Sequence, residues 1–179
     1  MKRLLIALAV VACSSDSNKA ADTATPAEAS PPASAQVVTL TSADLDGFEK
    51  GLAKEIQLVK EGKERTQRAV TAVERGNAIQ STFEENTINH AVPASGLTLE
   101  RYRLVRQTLS RLLTTLDFQG RIDGPQSVDT TLADAEMRAR LASDPYEVLD
   151  SSSAQLVKDR LNRIVPLWVE YVNLTVVGG

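Results

Sequence analysis

Residues 98–118 read TLERYRLVRQTLSRLLTTLDF, the most regular amphipathic pattern in this chain of 179 residues. Apolar side chains recur there at spacings of three and four, which predicts one apolar face of an α-helix. They are Tyr102, Val105, Leu109, Leu112, Leu113 and Leu116. Thr98 is suited to cap the first turn, and Leu97 can form a hydrophobic staple with Tyr102. We therefore expect a helix from residue 98 to about residue 118.

Upstream, apolar residues at the same spacing predict one long helix over residues 42–75. Thr41 can cap its first turn, and Gly62 and Gly76 are the two points where it would bend or break, because glycine weakens a helix. A less regular helical segment follows. The sequence PASG at residues 93–96 is expected to end it.

Downstream, residues 131–141 predict a short helix, and residues 145–149 predict about one further turn. A last amphipathic helix follows Asp150, and its interior Pro166 removes one backbone donor, so we expect a kink there. Alternating strand patterns do not occur in the sequence. The predicted fold class is therefore all-α, a bundle of four to five amphipathic helices.

The amino terminus has a different composition. Met1-Lys2-Arg3 precedes nine apolar residues, a run that is typical of an export signal and is too short for a permanent span of about 20 residues. Residues 14–36 contain Ala, Ser, Thr, Pro and a few charges but no large apolar side chain. Such a segment cannot bury enough surface to offset its ordering entropy, so we expect a disordered tether.

Val10-Val11-Ala12-Cys13 resembles the lipobox of bacterial lipoproteins. The resemblance implies that the sulfur of Cys13 carries a diacylglycerol and that the chain is cut before it. The new amine would take a fatty acid such as palmitate. It also implies a place in the cell envelope and, since Ser14 follows the cysteine, in the outer membrane facing the periplasm of a Gram-negative cell.

Three parts of the chain follow from these patterns. As the lipobox resemblance implies, we expect residues 1–12 to be a signal peptide that is removed and residues 13–40 to be the lipidated cysteine and linker, and we expect residues 41–179 to form the helical domain. Loss of the two cations of the signal changes the formal net charge from −3 to −5. An acidic chain without a basic run predicts no nucleic-acid partner, and it offers no general attraction to anionic lipid.

No residues stand in a recognisable catalytic or metal-binding pattern. His90 is the only histidine and has no second ligand at the usual spacing. Glu84 and Glu85 are adjacent, so on a helix they point about 100° apart and are expected to be solvated. Glu170 lies in the most apolar helix, where it must face water or meet an arginine. We predict no catalytic residue, no cofactor and no metal site.

Two further groups of side chains have simple structural interpretations. Four arginines in residues 98–118 are expected to form a solvated rim around the apolar face. They are Arg101, Arg103, Arg106 and Arg111. Trp168 and Tyr171 are expected in the core, and they would indicate a partner surface only if they were exposed.

The leading hypothesis is a membrane-tethered, non-enzymatic interaction module that binds an envelope protein or a cell-wall partner. One alternative is a carrier of an apolar ligand in a cavity between helices. That cavity would be lined by Leu109, Leu112, Ile164 and Trp168. A further alternative is an envelope hydrolase, which requires two carboxylates about 5 to 9 Å apart in a cleft.

Overall fold

The computed structural model describes residues 37–125 and 134–175. These residues form six α-helices and no β-strand, which confirms the all-α fold. The helices are α1 (Ser42–Arg68), α2 (Ala72–Gln80), α3 (Glu84–Ser95), α4 (Leu99–Phe118), α5 (Ala135–Ala142) and α6 (Ser151–Thr175). Cys13 and the predicted tether up to residue 36 lie outside the described residues.

Helix α4 begins and ends where its sequence predicts. The hydroxyl of Thr98 accepts a hydrogen bond from the backbone N–H of Arg101 at 3.2 Å, and Leu97 packs against the apolar cluster that contains Tyr102, its predicted staple partner. The six apolar residues of the predicted face are all buried. Helix α4 thus supplies a continuous apolar surface on which α1 and α6 pack.

The helix count exceeds the predicted four to five because the predicted helix over residues 42–75 ends at Arg68, and a separate helix begins at Ala72 and continues to Gln80. Ala69 is extended at the end of α1, and Thr71 then begins α2. Thr71 and Glu74 form a capping box, in which each side chain accepts a hydrogen bond from the other residue's backbone N–H. Gly62 and Gly76, the two predicted weak points, both lie inside helices.

Both helix-interior prolines are accommodated without ending their helices. Helix α3 includes Pro93 in its last turn and ends at Ser95, where Gly96 has the left-handed φ of 70°. Helix α6 continues through Pro166 to Thr175. The kink at Pro166 stays a prediction.

The segments before α5 and α6 use aspartates as caps. Asp134 accepts a hydrogen bond from the backbone N–H of Met137, whereas Thr131, the predicted start of this helix, lies outside the described residues. Asp144 accepts one from Tyr146 in the predicted single turn. Asp150 accepts one from the third residue of α6, as its sequence predicted.

The packed domain begins before residue 41, the predicted boundary. The backbone N–H of Val38 donates to the carbonyl of Val148 at 2.8 Å, and the N–H of Leu40 donates to the hydroxyl of Ser153 at 2.7 Å. Leu40 is also buried in the core. Residues 38–40 therefore belong to the domain, because it accepts their backbone hydrogen bonds and buries the side chain of Leu40.

The main core lies between α1, α4 and α6. It is aliphatic apart from a few aromatic rings, and its largest fully buried apolar members include Phe48, Leu52, Leu109, Leu113 and Ile164. A smaller cluster of Ile88, Ala91 and Tyr102 lies between α3 and α4. Helix α4 contributes side chains to both clusters, whereas α1 packs against α2, α3, α4 and α6 and is the central helix of the bundle.

A glycine in α1 allows the close approach of the Tyr102 ring. A Cβ atom added at Gly51 would lie less than 3.0 Å from two carbon atoms of that ring and from its hydroxyl oxygen. Gly76 of α2 has no neighbour within 4 Å of the same position. The two helical glycines thus differ in packing but share the same intrinsic cost to the helix.

We expect Gly51→Ala to lower the free energy of unfolding by about 1–3 kcal/mol, because the new methyl group overpacks the Tyr102 site. Gly76→Ala is the matched control and should raise it by about 0.5–1 kcal/mol through helix propensity. Urea denaturation followed by circular dichroism measures both. Stabilisation by Gly51→Ala would contradict the packing at this site.

Candidate functional site

A buried ion pair joins α1 to α4 inside the bundle. Glu55 is 0% exposed, and its carboxylate accepts hydrogen bonds from Nε and Nη2 of Arg106 at 2.9 and 3.0 Å. Burial of two charges is costly unless each is paired and hydrogen-bonded. Among the described residues, no buried side-chain nitrogen or oxygen lacks a partner, so this requirement is met.

Two neutral hydroxyl groups complete the environment of Glu55. The hydroxyl of Tyr102 donates to Oε1 of the carboxylate at 2.6 Å, and that of Thr87 lies 3.4 Å from Oε2. Burial and the negative charge of Glu55 together raise the pKa of Tyr102 well above its usual range. The phenol therefore remains a neutral donor, and α3 and α4 both contribute to one polar site.

Arg106 connects this buried site to the surface. Its Nη1 donates to Glu84 at 2.6 Å, and Glu84 is 63% exposed. Its guanidinium also lies over the ring of Tyr171, 5.0 Å from the centroid. Although burial opposes its charge, Glu55 raises the pKa of Arg106 above its already high value. Burial raises the pKa of Tyr171 to about 12.

An open groove of about 670 Å³ lies beside Arg106. It runs between α4 and the carboxyl-terminal part of α6, and α1 and the α2–α3 connection close its side. Its lining contains both apolar and polar side chains. The lining residues are Val59, Lys63, Thr82, Phe83, Glu84, Arg106, Ser110, Thr114, Trp168, Tyr171, Val172, Leu174 and Thr175. Its volume is in the range of about 300–1,000 Å³ that is typical of small-molecule sites.

Further ion pairs tie α1 to its neighbours away from the groove. Arg101 donates two hydrogen bonds of 2.7 Å to Asp44, and these lower the pKa of Asp44 from its ordinary value to about 2. Glu49 meets Arg160 at 3.3 Å and Arg163 at 2.5 Å on α6. These contacts fix α1 against α4 and α6.

The prediction of a solvated arginine rim is wrong for Arg106, which is buried. Arg101 is only partly exposed and binds Asp44, whereas Arg103 is exposed and pairs with Glu85. Arg111 is exposed, as expected. The sequence conceals the role of Arg106 because its partner Glu55 lies 51 residues away on the apolar face of α1.

The carboxylates considered for catalysis all have structural partners. Glu84 and Glu85, in the first turn of α3, pair with Arg106 and Arg103. Glu170 is 43% exposed and pairs with Lys60 at 2.5 Å, so of the two expected outcomes, water or an arginine, it faces water. Glu55 and Glu84 converge on the guanidinium of Arg106, and Asp46 and Glu49 converge on that of Arg160.

The remaining candidates lie in different surroundings. His90 is exposed in the interior of α3, and its Nδ1 lies 2.7 Å from the carbonyl of Asn86. Trp168 is buried in the core, as expected, and its edge reaches the groove. Tyr171 is partly buried and lines the groove. Within residues 37–125 and 134–175, no three His, Cys, Asp or Glu side chains are grouped as metal ligands.

We expect Arg106→Leu to lower the free energy of unfolding by about 3–5 kcal/mol, because it leaves Glu55 charged and buried without its partner. The double variant Glu55→Leu/Arg106→Leu removes both charges and should be more stable than Arg106→Leu alone. Chemical denaturation measures both values. Glu170→Gln, at an exposed pair, is the control and should cost less than about 1 kcal/mol. An Arg106→Leu cost no larger than this control would contradict the role of the buried pair.

Comparison with known proteins identifies no relative. No protein family matches the chain, and neither a curated protein nor a solved structure matches it. In the part of the chain that the structure describes, no helix is both long and apolar enough to cross a membrane. The candidate site is therefore interpreted from its own residues and geometry.

Proposed function

We propose that this chain is a lipid-anchored lipoprotein of the cell envelope and that its helical domain is a non-enzymatic interaction module. The lipobox-like residues Val10-Val11-Ala12-Cys13 support the anchor. The observation that carries the binding role is the open groove between α4 and α6. Its occupant would be a segment of an envelope protein or a cell-wall component.

The composition of the groove supports binding of a mixed polar and apolar partner. Phe83, Val172 and the edge of Trp168 offer apolar surface, while Lys63 and Glu84 offer charges of both signs at its edge. Binding sites commonly combine an apolar lining with a few placed polar groups. The rigid pair of Arg106 and Tyr171 forms a preorganised wall, which reduces the entropy lost on binding.

The two alternative functions have weaker support. For a carrier, the predicted cavity needed Leu109, Leu112 and Ile164 along its wall, but these side chains pack in the core and only Trp168 reaches the groove. For a carboxylate hydrolase, Glu55 is inaccessible and shares Arg106 with Glu84. An open groove favours the interaction module over both.

The anchor is tested by Cys13→Ala. We expect this variant to move from the membrane fraction to a soluble or unprocessed form and to lose the mass of the acyl chains, because a thioether-linked lipid requires the cysteine. Ser14→Ala is the matched control and should remain membrane-bound. Cell fractionation with intact-mass spectrometry measures both. Unchanged membrane association of Cys13→Ala, with no acyl mass on the parent protein, would refute the anchor.

The groove is tested by a photoreactive amino acid placed at Val172, with the full lipidated chain in a bacterial envelope. We expect this position to give a specific crosslinked product that mass spectrometry can identify. Gln155, exposed near the start of the same helix, is the control position and should give no such product. Equal crosslinking from both positions would contradict a role for the groove.

A further inference from the structure

The end of α1, the whole of α2 and the connection to α3 form an apolar corner. We call residues 63–83 the α1–α2 corner. Six large hydrophobic side chains are exposed in the described part of the chain, and four of them lie here. Val70 is 89% exposed, Val73 is 72% exposed and Phe83 is 57% exposed, and Ile79 is the fourth. A cluster of this kind indicates an interaction surface more than a scatter of single residues does.

Helix α2 contacts α1 closely only near Gly62, so most of its side chains are exposed. Ala78 is the only buried residue of α2, and it packs near Gly62 of α1. The methyl group of Thr82 also contacts the space beside Gly62, and the Ser81 hydroxyl accepts from Arg65 at 2.8 Å. The helix is thus held by one small residue and its carboxyl end, while Val70 and Val73 remain uncovered.

The charge of the corner is opposite to that of the chain. Residues 63–83 contain four cations and two carboxylates, whereas the whole chain has a formal net charge of −3. The cations are Lys63, Arg65, Arg68 and Arg75, and the carboxylates are Glu64 and Glu74. Glu74 accepts the backbone N–H groups of Val70 and Thr71, so its charge is directed to the helix start. Two of the cations are paired, Arg68 with Glu64 inside the corner and Arg65 with Glu61 beside it. Counted over residues 63–83, the four cations and two carboxylates leave a formal charge of +2 next to the exposed apolar side chains.

We propose that the α1–α2 corner docks on the anionic surface of the bilayer that holds the lipid anchor. Apolar side chains flanked by arginines bind at a membrane interface, because the former enter the boundary between headgroups and acyl chains while the latter meet phosphates. The net negative charge of the whole chain predicts no attraction to anionic lipid. Salt screens charges beyond a Debye length of about 8–10 Å, however, so the charges near the contact determine the attraction. This inference rests on the proposed lipid anchor.

The distance between the anchor and the corner permits this contact. Helix α1 has 27 residues, so the corner lies about 40 Å along that helix from the start of the domain. The 25 peptide steps from Cys13 to Val38 can reach at most about 85 Å, which exceeds that length. The anchor also makes the second contact intramolecular, so a weak intrinsic affinity is sufficient. Phe83 lines the groove as well, so docking would bring the groove close to the headgroups.

The test uses the mature chain from residue 13 with Cys13→Ser, so that no lipid contributes. Flotation with vesicles measures binding to phosphatidylcholine alone and to an equimolar mixture with phosphatidylglycerol. We expect binding only to the anionic vesicles and a loss on addition of salt. V70S/V73S should lower the bound fraction by about tenfold, because it removes apolar groups that enter the interface. Arg68→Glu/Arg75→Glu should abolish the preference for anionic lipid.

Leu104→Ser is the matched control, since Leu104 is an exposed hydrophobic residue outside the corner, and it should bind as the parent does. Circular dichroism confirms that each variant is folded. Equal binding to neutral and anionic vesicles, or unchanged binding of V70S/V73S, would overturn the proposal. So would a dimer in light scattering that the same variant abolishes, because the corner would then bind a second copy. Since the assay needs no lipid on Cys13, its failure leaves the anchor itself untouched.

Discussion

The buried pair of Glu55 and Arg106 is the constraint on which the rest of the bundle depends. A carboxylate with no solvent exposure requires a charged partner and further donors, since an unpaired charge there costs several kcal/mol. Arg106 and the hydroxyl of Tyr102 meet that need from successive turns of α4. Only one alignment of α1 against α4 brings these groups together. Gly51 permits it because the Tyr102 ring lies where a larger residue would have its Cβ.

The same guanidinium sets the boundary between the core and the groove. Arg106 binds Glu84 at the start of α3 and stacks on Tyr171 of α6, so three helices meet at one side chain. Its inner side belongs to the buried polar site, and its outer side forms part of the groove wall. A binding surface built on such a site is rigid, because its side chains are already fixed by the fold.

The sequence predicted those features that depend on neighbouring residues. Helix α4, the Leu97–Tyr102 staple and the aspartate cap of α6 follow from patterns within a few positions. The break before α2 was also readable, because Thr71 and Glu74 repeat the capping pattern of Thr41. Gly62 and Gly76 only weaken a helix, whereas a capping box begins a new one. The roles of Glu55 and Arg106 join residues 51 positions apart, and no local pattern encodes such a pairing.

By itself, the sequence determined the all-α class and the course of α4, because helix periodicity and helix caps depend on residues that are close together in the chain. The lipobox-like cysteine stays a prediction. Tertiary structure alone decided which charges are buried and which apolar residues are exposed. In the sequence, nothing distinguishes Arg106 from the other three arginines of α4, and only the packing of α1 places Glu55 beside it. Val70 and Val73 look like core residues until α2 is seen to bury only Ala78. Whether a residue is buried depends on which distant parts of the chain pack against it, and the composition of the sequence does not specify those contacts.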